Sequence, residues 1–209
     1  MSHPAHYPQI GADAAATATP ARSTNDYATR TARAIVNAYD FSDAGCVVDV
    51  GGGNGQLMSA LLQANPHLHG VIQDRTPMIA LAVRELINAG VTQRCALVAN
   101  DFFVAVPSGG DVYILKQILC DWNDAASISI LRRCRSAMPP HGKLLIAERV
   151  FNARDVVQPT PGAAVASATF TSKNWRDKRD YYALLNEAGF GAARLLTTAS
   201  GLNLIEANR

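Results

Sequence analysis

No C-x-x-C pair occurs in this sequence, and cysteine is scarce: Cys46, Cys95, Cys120 and Cys134 stand far apart in the chain. That scatter excludes a zinc-ribbon site and a disulfide framework, and it suits a reducing, cytoplasmic setting. Charge is scarce as well. Only 17% of the residues are charged, and 19 basic against 17 acidic side chains leave a net +2, so the total directs the chain to neither nucleic acid nor a membrane surface. Aromatic residues are 7% of the whole, too few and too dispersed to interleave with the basic groups as a nucleic-acid stripe requires. No apolar run is long enough to span a bilayer, and no signal-peptide pattern is present. What is abundant is apolar residues, 48% of 209, which suits one α/β domain with a full core and leaves little room for two.

The richest local signal is Val47 to Gln56, VVDVGGGNGQ. Val47, Val48 and Val50 are β-branched and apolar, as a buried parallel strand requires, and Gly51, Gly52, Gly53 and Gly55 let backbone N–H groups approach a ligand. A helix opening near Gly55 presents its positive end there. The spacing is D-x-G-x-G-x-G from Asp49 through Gly51, Gly53 and Gly55, not the G-x-G-x-x-G of a dinucleotide site. It favours S-adenosylmethionine over NAD. Asp74 ends the next apolar strand, Val71-Ile72-Gln73-Asp74, where a carboxylate can accept ribose hydroxyls.

Residues 1–24 have no periodicity and read as a poorly ordered leader, with residues 25–209 forming the domain. Helical spacing of Ala28, Ala32, Ile35 and Val36 predicts a helix over 27–39. Strands are then expected at 46–50, 70–74, 95–99, 111–116 and 143–149, with helices at 55–65, 76–89 and 125–138. A helix near 177–188 ends at Gly189, and two short strands follow near 192–197 and 202–207. The alternation implies a doubly wound sheet of seven strands. Only Asn152 to Ser172, with its prolines, reads as a long loop.

Four blocks, AYDFSDAGCVVDVGGGNGQL, NDFFVAVPSGGDVYILKQILCDWND, ILRRCRSAMPPHGKLLIAERV and LLNEAGF, follow one another in this order. Through them the chain from about Asp26 to Arg209 resembles the catalytic domain of small-molecule O-methyltransferases, a family that includes plant caffeic-acid and isoflavone enzymes and bacterial polyketide and hydroxyneurosporene enzymes. The resemblance implies a Rossmann-like, mostly parallel sheet and S-adenosylmethionine as cofactor. The acceptor it implies is a hydroxyl of a small aromatic or polyketide-like molecule. It makes Gly51 the loop glycine at the methionine part of the cofactor and Asp74 the ribose acid. It sets Asp101 and Phe102 at the adenine and Lys116 at the cofactor's polar end. No metal is implied.

The sequence departs from the family at the catalytic positions. Where the family has a histidine base followed by Asp-Trp, this chain has Cys120 followed by Asp121 and Trp122. A base that removes a hydroxyl proton works best when it titrates near 7, which imidazole does and an unperturbed thiol does not. Cys120 then reads either as a small residue filling the histidine's space or as a working thiol, and Asp121 and Trp122 either as site residues or as a cap and a packing ring. One orienting acid survives as Glu148, with Arg149 a candidate partner, and the second acid's place is held by Trp175. The family's acceptor-lining segment falls on 164–168. Roughly a hundred family residues ahead of this unit have no counterpart, so a monomer is expected. Alternatives to methyl transfer are a silent cofactor-binding domain that acts through a partner, and altered chemistry on the same scaffold. His67 and His69, and the basic runs Arg132, Arg133, Arg135 and Lys173, Arg176, Lys178, Arg179, read as solvated surface.

Overall fold

The computed structural model describes residues 19–151 and 174–209. The expected leader lies outside the described residues up to position 18, and so do the proline-containing stretch 152–172 and the acceptor-lining positions 164–168. The first helix, α1 (Thr19–Ala38), begins well ahead of the expected Tyr27. After it come β1 (Cys46–Val50), α2 (Gln56–Ala64), β2 (His69–Asp74), α3 (Thr76–Ala89), β3 (Cys95–Ala99), β4 (Val112–Lys116), α4 (Asp124–Ala137), β5 (Lys143–Glu148), α5 (Lys178–Glu187), β6 (Ala193–Thr197) and β7 (Asn203–Asn208).

The strands form one sheet in the order β3-β2-β1-β4-β5-β7-β6. β1 is parallel to both β2 and β4, and β2–β3 and β4–β5 are parallel too. β7 runs antiparallel to β5 and to β6. A short turn joins β6 to β7, pinned by a 2.7 Å hydrogen bond from the Thr198 hydroxyl to the Leu202 carbonyl, and so short a connection permits only a hairpin.

Strand alternation divides the core into two layers. Val47, Val112, Ile114 and Leu145 face α1, α2 and α3, where Ile35, Leu57, Leu61 and Leu86 meet them. Val48, Val50, Tyr113, Leu115, Leu144 and Ile146 face α4 and α5, against Ile130, Leu131, Tyr181 and Leu185. Because both faces are covered, β1 and β4 are apolar apart from Asp49 and Lys116. The strand order reverses between β1 and β4, and the crevice at their carboxyl ends is where such sheets bind ligands.

Several residues read as surface take part in packing. Arg132 and Arg135 donate to the carbonyls of Glu187 and Gly189 at 3.1 and 2.7 Å. They latch α4 to the negative end of α5. Of the cysteines away from the catalytic positions, Cys134 is buried, and Cys46 and Cys95 are half-buried. His67 and His69 are exposed, although the His67 ring hydrogen-bonds with the Phe41 carbonyl at 3.2 Å. Among the described residues no group of three His, Cys, Asp or Glu side chains could hold a metal ion, and no helix is long and apolar enough to cross a membrane.

Candidate functional site

The loop after β1 is held by the loop after β2. Gly51 and Gly52 both donate to the Gln73 carbonyl, at 2.8 and 3.2 Å, and Gly53 donates to Asp74 Oδ2 at 2.8 Å. Asp74 Oδ1 accepts from the Arg75 N–H at 2.7 Å. Each carboxylate oxygen thus retains a lone pair for a ligand hydroxyl while the acid braces the glycine loop. Gly51 has φ +74°, and a Cβ there would lie 2.5 Å from Ile118 Cδ1. Position 51 therefore demands glycine twice over, for conformation and for space.

Asp49 is the penultimate residue of β1, beneath this loop and 1% exposed. Among the described residues neither of its carboxylate oxygens has a hydrogen-bond partner. Burial is the main cause that pushes its carboxyl up to about 7, with Lys116 acting the other way. Lys116 ends β4 and feels both Asp49 and Glu148, although burial holds it below its ordinary range. A buried carboxylate without donors is costly unless a cation or donor arrives to meet it.

A cavity of about 240 Å³ opens at the switch point, with Gly51, Asp74, Asp101, Phe102, Asp121 and Trp122 in its wall. Gly51, Asp74, Asp101 and Phe102 are site residues on the sequence reading, which leaves Asp121 and Trp122 open between site roles and capping or packing. The other predicted residues, Asp49, Gly53, Gly55, Lys116, Cys120 and Glu148, are not part of the cavity's lining. Asp101 Oδ1 accepts from the Phe103 N–H at 2.8 Å, which closes the turn after β3. Phe102 and Phe103 are 5.0 Å apart, and Trp122 stands edge-on to Phe103 at 4.8 Å and to Phe102 at 6.1 Å. This gives the cavity a rigid aromatic side.

The 3₁₀ turn Leu119–Asp121 presents Cys120 and Asp121. Gln117, just before it, has φ +54°. The Cys120 N–H donates to Glu148 Oε1 at 3.2 Å, and the Cys120 thiol donates to Asp121 Oδ1 at 3.6 Å. Glu148 is 2% exposed and reaches the turn's main chain, whereas Arg149, the partner expected from sequence, is exposed. Asn123, not Asp121, caps α4, accepting from the Ala126 N–H at 3.0 Å. Trp175 is 55% exposed and stacks on Phe151 at 4.0 Å.

Sequence reasoning missed Arg176. It is 3% exposed, and its guanidinium is spent on the carbonyls of Leu119 and Trp122, on Asp124 and on Ser127. The available signal was its alignment with the arginine that follows the family's second acid.

Burial pushes up the thiols of Cys46, Cys95 and Cys134, the last two to about 12. Since the thiolate is the nucleophile, iodoacetamide near neutral pH is expected to modify Cys120 first. Peptide mass spectrometry of a time course checks this, and earlier labelling of Cys134 would contradict the burial described here.

Known proteins resemble this chain in sequence and in fold. A family model described as an O-methyltransferase domain matches residues 3–191. The phenazine O-methyltransferase PhzM of Lysobacter antibioticus is 42% identical over 181 residues, which are 87% of this chain and 53% of that protein. The O-demethylpuromycin-O-methyltransferase of Streptomyces alboniger is 41% identical over 183 residues, 85% of this chain and 48% of that protein. The chain thus spans about half the length of these curated relatives. Among solved structures, the mitomycin 7-O-methyltransferase MmcR superposes with a TM-score of 0.81 at 32% identity, over 90% of this chain and 56% of that one.

Proposed function

The chain belongs to the O-methyltransferase domain family, and from that premise we propose that it transfers a methyl group from S-adenosylmethionine to a hydroxyl of a small aromatic or polyketide-like acceptor. The observation that carries the reading is the buried Asp49 carboxylate, without donors beneath a glycine loop that already engages Asp74. A cationic ligand bearing ribose hydroxyls and a flat ring fits that arrangement. Asp49 and Lys116 would meet its charged end, Gly51, Gly53 and Gly55 would let it approach the backbone, Asp74 would take the hydroxyls, and Asp101 and Phe102 would hold the ring. S-adenosylmethionine, when bound, supplies an electrophilic methyl group on a sulfonium.

The chain's own contribution is to position the acceptor, which in such transfers is worth up to about 7–11 kcal/mol. At Cys120 the thiol donates to Asp121 and so is not poised to accept a proton. The carboxylate that would receive one is Asp121, in the cavity wall. A carboxylate is a far weaker base than a phenolate, so on its own it draws the proton from an ordinary phenol poorly. The fitting acceptors are therefore hydroxyls acidic enough to ionise near neutral pH, and these need no strong base.

Calorimetric titration with S-adenosylhomocysteine is expected to give micromolar affinity, about −8 kcal/mol. In an acceptor panel of graded acidity, turnover should follow the ionised fraction of the hydroxyl. Absence of binding at millimolar ligand would sink the proposal. Binding without turnover on any acceptor would favour the second reading, a silent cofactor-binding domain, which the presence of Cys120 at the expected base position supports.

A further inference from the structure

We propose that Arg176 is a positioning residue of the site: its buried guanidinium sets the conformation of the turn Leu119–Asp124, and with it the wall that Asp121 and Trp122 give to the cavity. The inference rests on reading that cavity as the cofactor and acceptor site. Three main-chain carbonyls of the turn are bound by one short stretch of chain that is distant in sequence. Asn174 N–H donates to the Cys120 carbonyl at 2.9 Å, Arg176 Nη1 to the Leu119 carbonyl at 2.7 Å, and Arg176 Nη2 to the Trp122 carbonyl at 2.7 Å. These carbonyls bracket Cys120 and Asp121, so fixing them fixes the backbone between.

The guanidinium is itself oriented from α4. Nε and Nη2 both reach Asp124 Oδ1, at 3.0 and 2.8 Å, and Nη2 also donates to the Ser127 hydroxyl at 3.2 Å. The Phe151 N–H donates to the Arg176 carbonyl at 3.1 Å, which ties the same residue to the chain leaving β5 just after Glu148. Glu148 in turn accepts the Cys120 N–H. Turn, acid and arginine therefore share one frame, and Tyr181, whose phenol is pushed up mainly by burial, feels Glu148, Cys120 and Arg176 together.

Burying a guanidinium is costly, and a fold that needed only packing here would do as well with an apolar side chain. What an apolar residue cannot do is donate to several acceptors from one rigid plane. Lysine cannot either, because its ammonium is a compact charge on a flexible stem. Arg176→Lys should accordingly keep the fold and loosen the turn.

The test compares the whole chain with Arg176→Lys and Asp124→Asn by two readouts: alkylation rates of Cys120 and Cys134 with iodoacetamide, and calorimetric affinity for S-adenosylhomocysteine. Arg176→Lys is expected to speed Cys120 alkylation about fivefold with Cys134 unchanged, and to weaken binding about tenfold, or 1.4 kcal/mol. Asp124→Asn should move both the same way by about twofold to threefold, since it removes the exposed negative charge and leaves an amide oxygen and the carbonyl contacts. The proposal is overturned if both readouts stay at the parent value in both variants. It is equally overturned if Cys134 labelling rises in step with Cys120, which reports general loosening. Should Arg176→Lys fail to fold, Asp124→Asn decides by the same comparison. If the parent chain itself does not bind the probe, the cofactor reading fails, and the Cys120 to Cys134 ratio still decides the role of Arg176.

Discussion

Cys120→His is expected to raise methyl transfer by about 10²-fold or more on phenols that stay protonated near neutral pH, the low end of what a positioned general base contributes. Two acids already contact residue 120. Asp121 Oδ1 lies 3.6 Å from the present thiol sulfur, and Glu148 holds the main chain of residue 120 by its N–H. An adjacent carboxylate favours the charged ring and fixes its orientation, so the rate of the variant should climb as pH rises through about 6.5–7.5, where imidazole loses its proton. The unaltered chain should instead follow the ionisation of the acceptor. Single-turnover rates against pH, with a weakly acidic phenol and a strongly acidic one, separate the two. The acidic acceptor should gain little from the substitution, because its proton has already gone. No gain on any acceptor would mean that residue 120 does not face the reacting hydroxyl.

Much of the fold was legible because its signals are redundant. β1 is apolar on both faces, a glycine loop follows it, and α2 and β2 repeat the pattern, so the strand and helix boundaries fall within a residue or two of those expected. The start of α1 was hidden, since residues from Thr19 to Asp26 carry no apolar stripe for periodicity to find. The antiparallel direction of β7 was hidden as well, because alternation along a strand does not encode the direction of its neighbours. At the site, motif spacing named Gly51 and Asp74, the family resemblance named Asp101, Phe102 and Asp121, and all five line one cavity. Reasoning from sequence neighbours failed in two places. Arg149 follows Glu148 and is exposed, while the buried acid accepts the N–H of Cys120, 28 residues back. Arg176 sits in a run of alternating charges that looks solvated, and its partners Leu119, Trp122, Asp124 and Ser127 lie about fifty residues away. Composition cannot tell a guanidinium in water from one that hydrogen-bonds backbone carbonyls.

Asp49→Asn is expected to stabilise the ligand-free chain above pH 7 and to lower its affinity for S-adenosylhomocysteine. Burial pushes the Asp49 carboxyl from 3.8 up to about 7. Between about pH 4 and pH 7 the folded chain therefore holds a proton that the unfolded chain has released, and stability falls as pH rises through that window. The penalty is fully present above 7, and a shift of this size corresponds to at most about 4 kcal/mol. Asparagine carries no charge at any pH, so urea midpoints of variant and parent should diverge between pH 5 and pH 8, with the variant higher at pH 8. Binding should move the opposite way. The ligand's ammonium favours the ionised carboxylate, so parent affinity should rise as pH passes 7, and the variant's should be lower and flat across the same range. Equal midpoints at both pH values would mean that Asp49 is not desolvated as described, and undiminished affinity would remove it from the cofactor's contacts. If both hold, the orphaned carboxylate is a cost that the fold carries because the ligand needs a buried negative charge, and removing it trades recognition for stability.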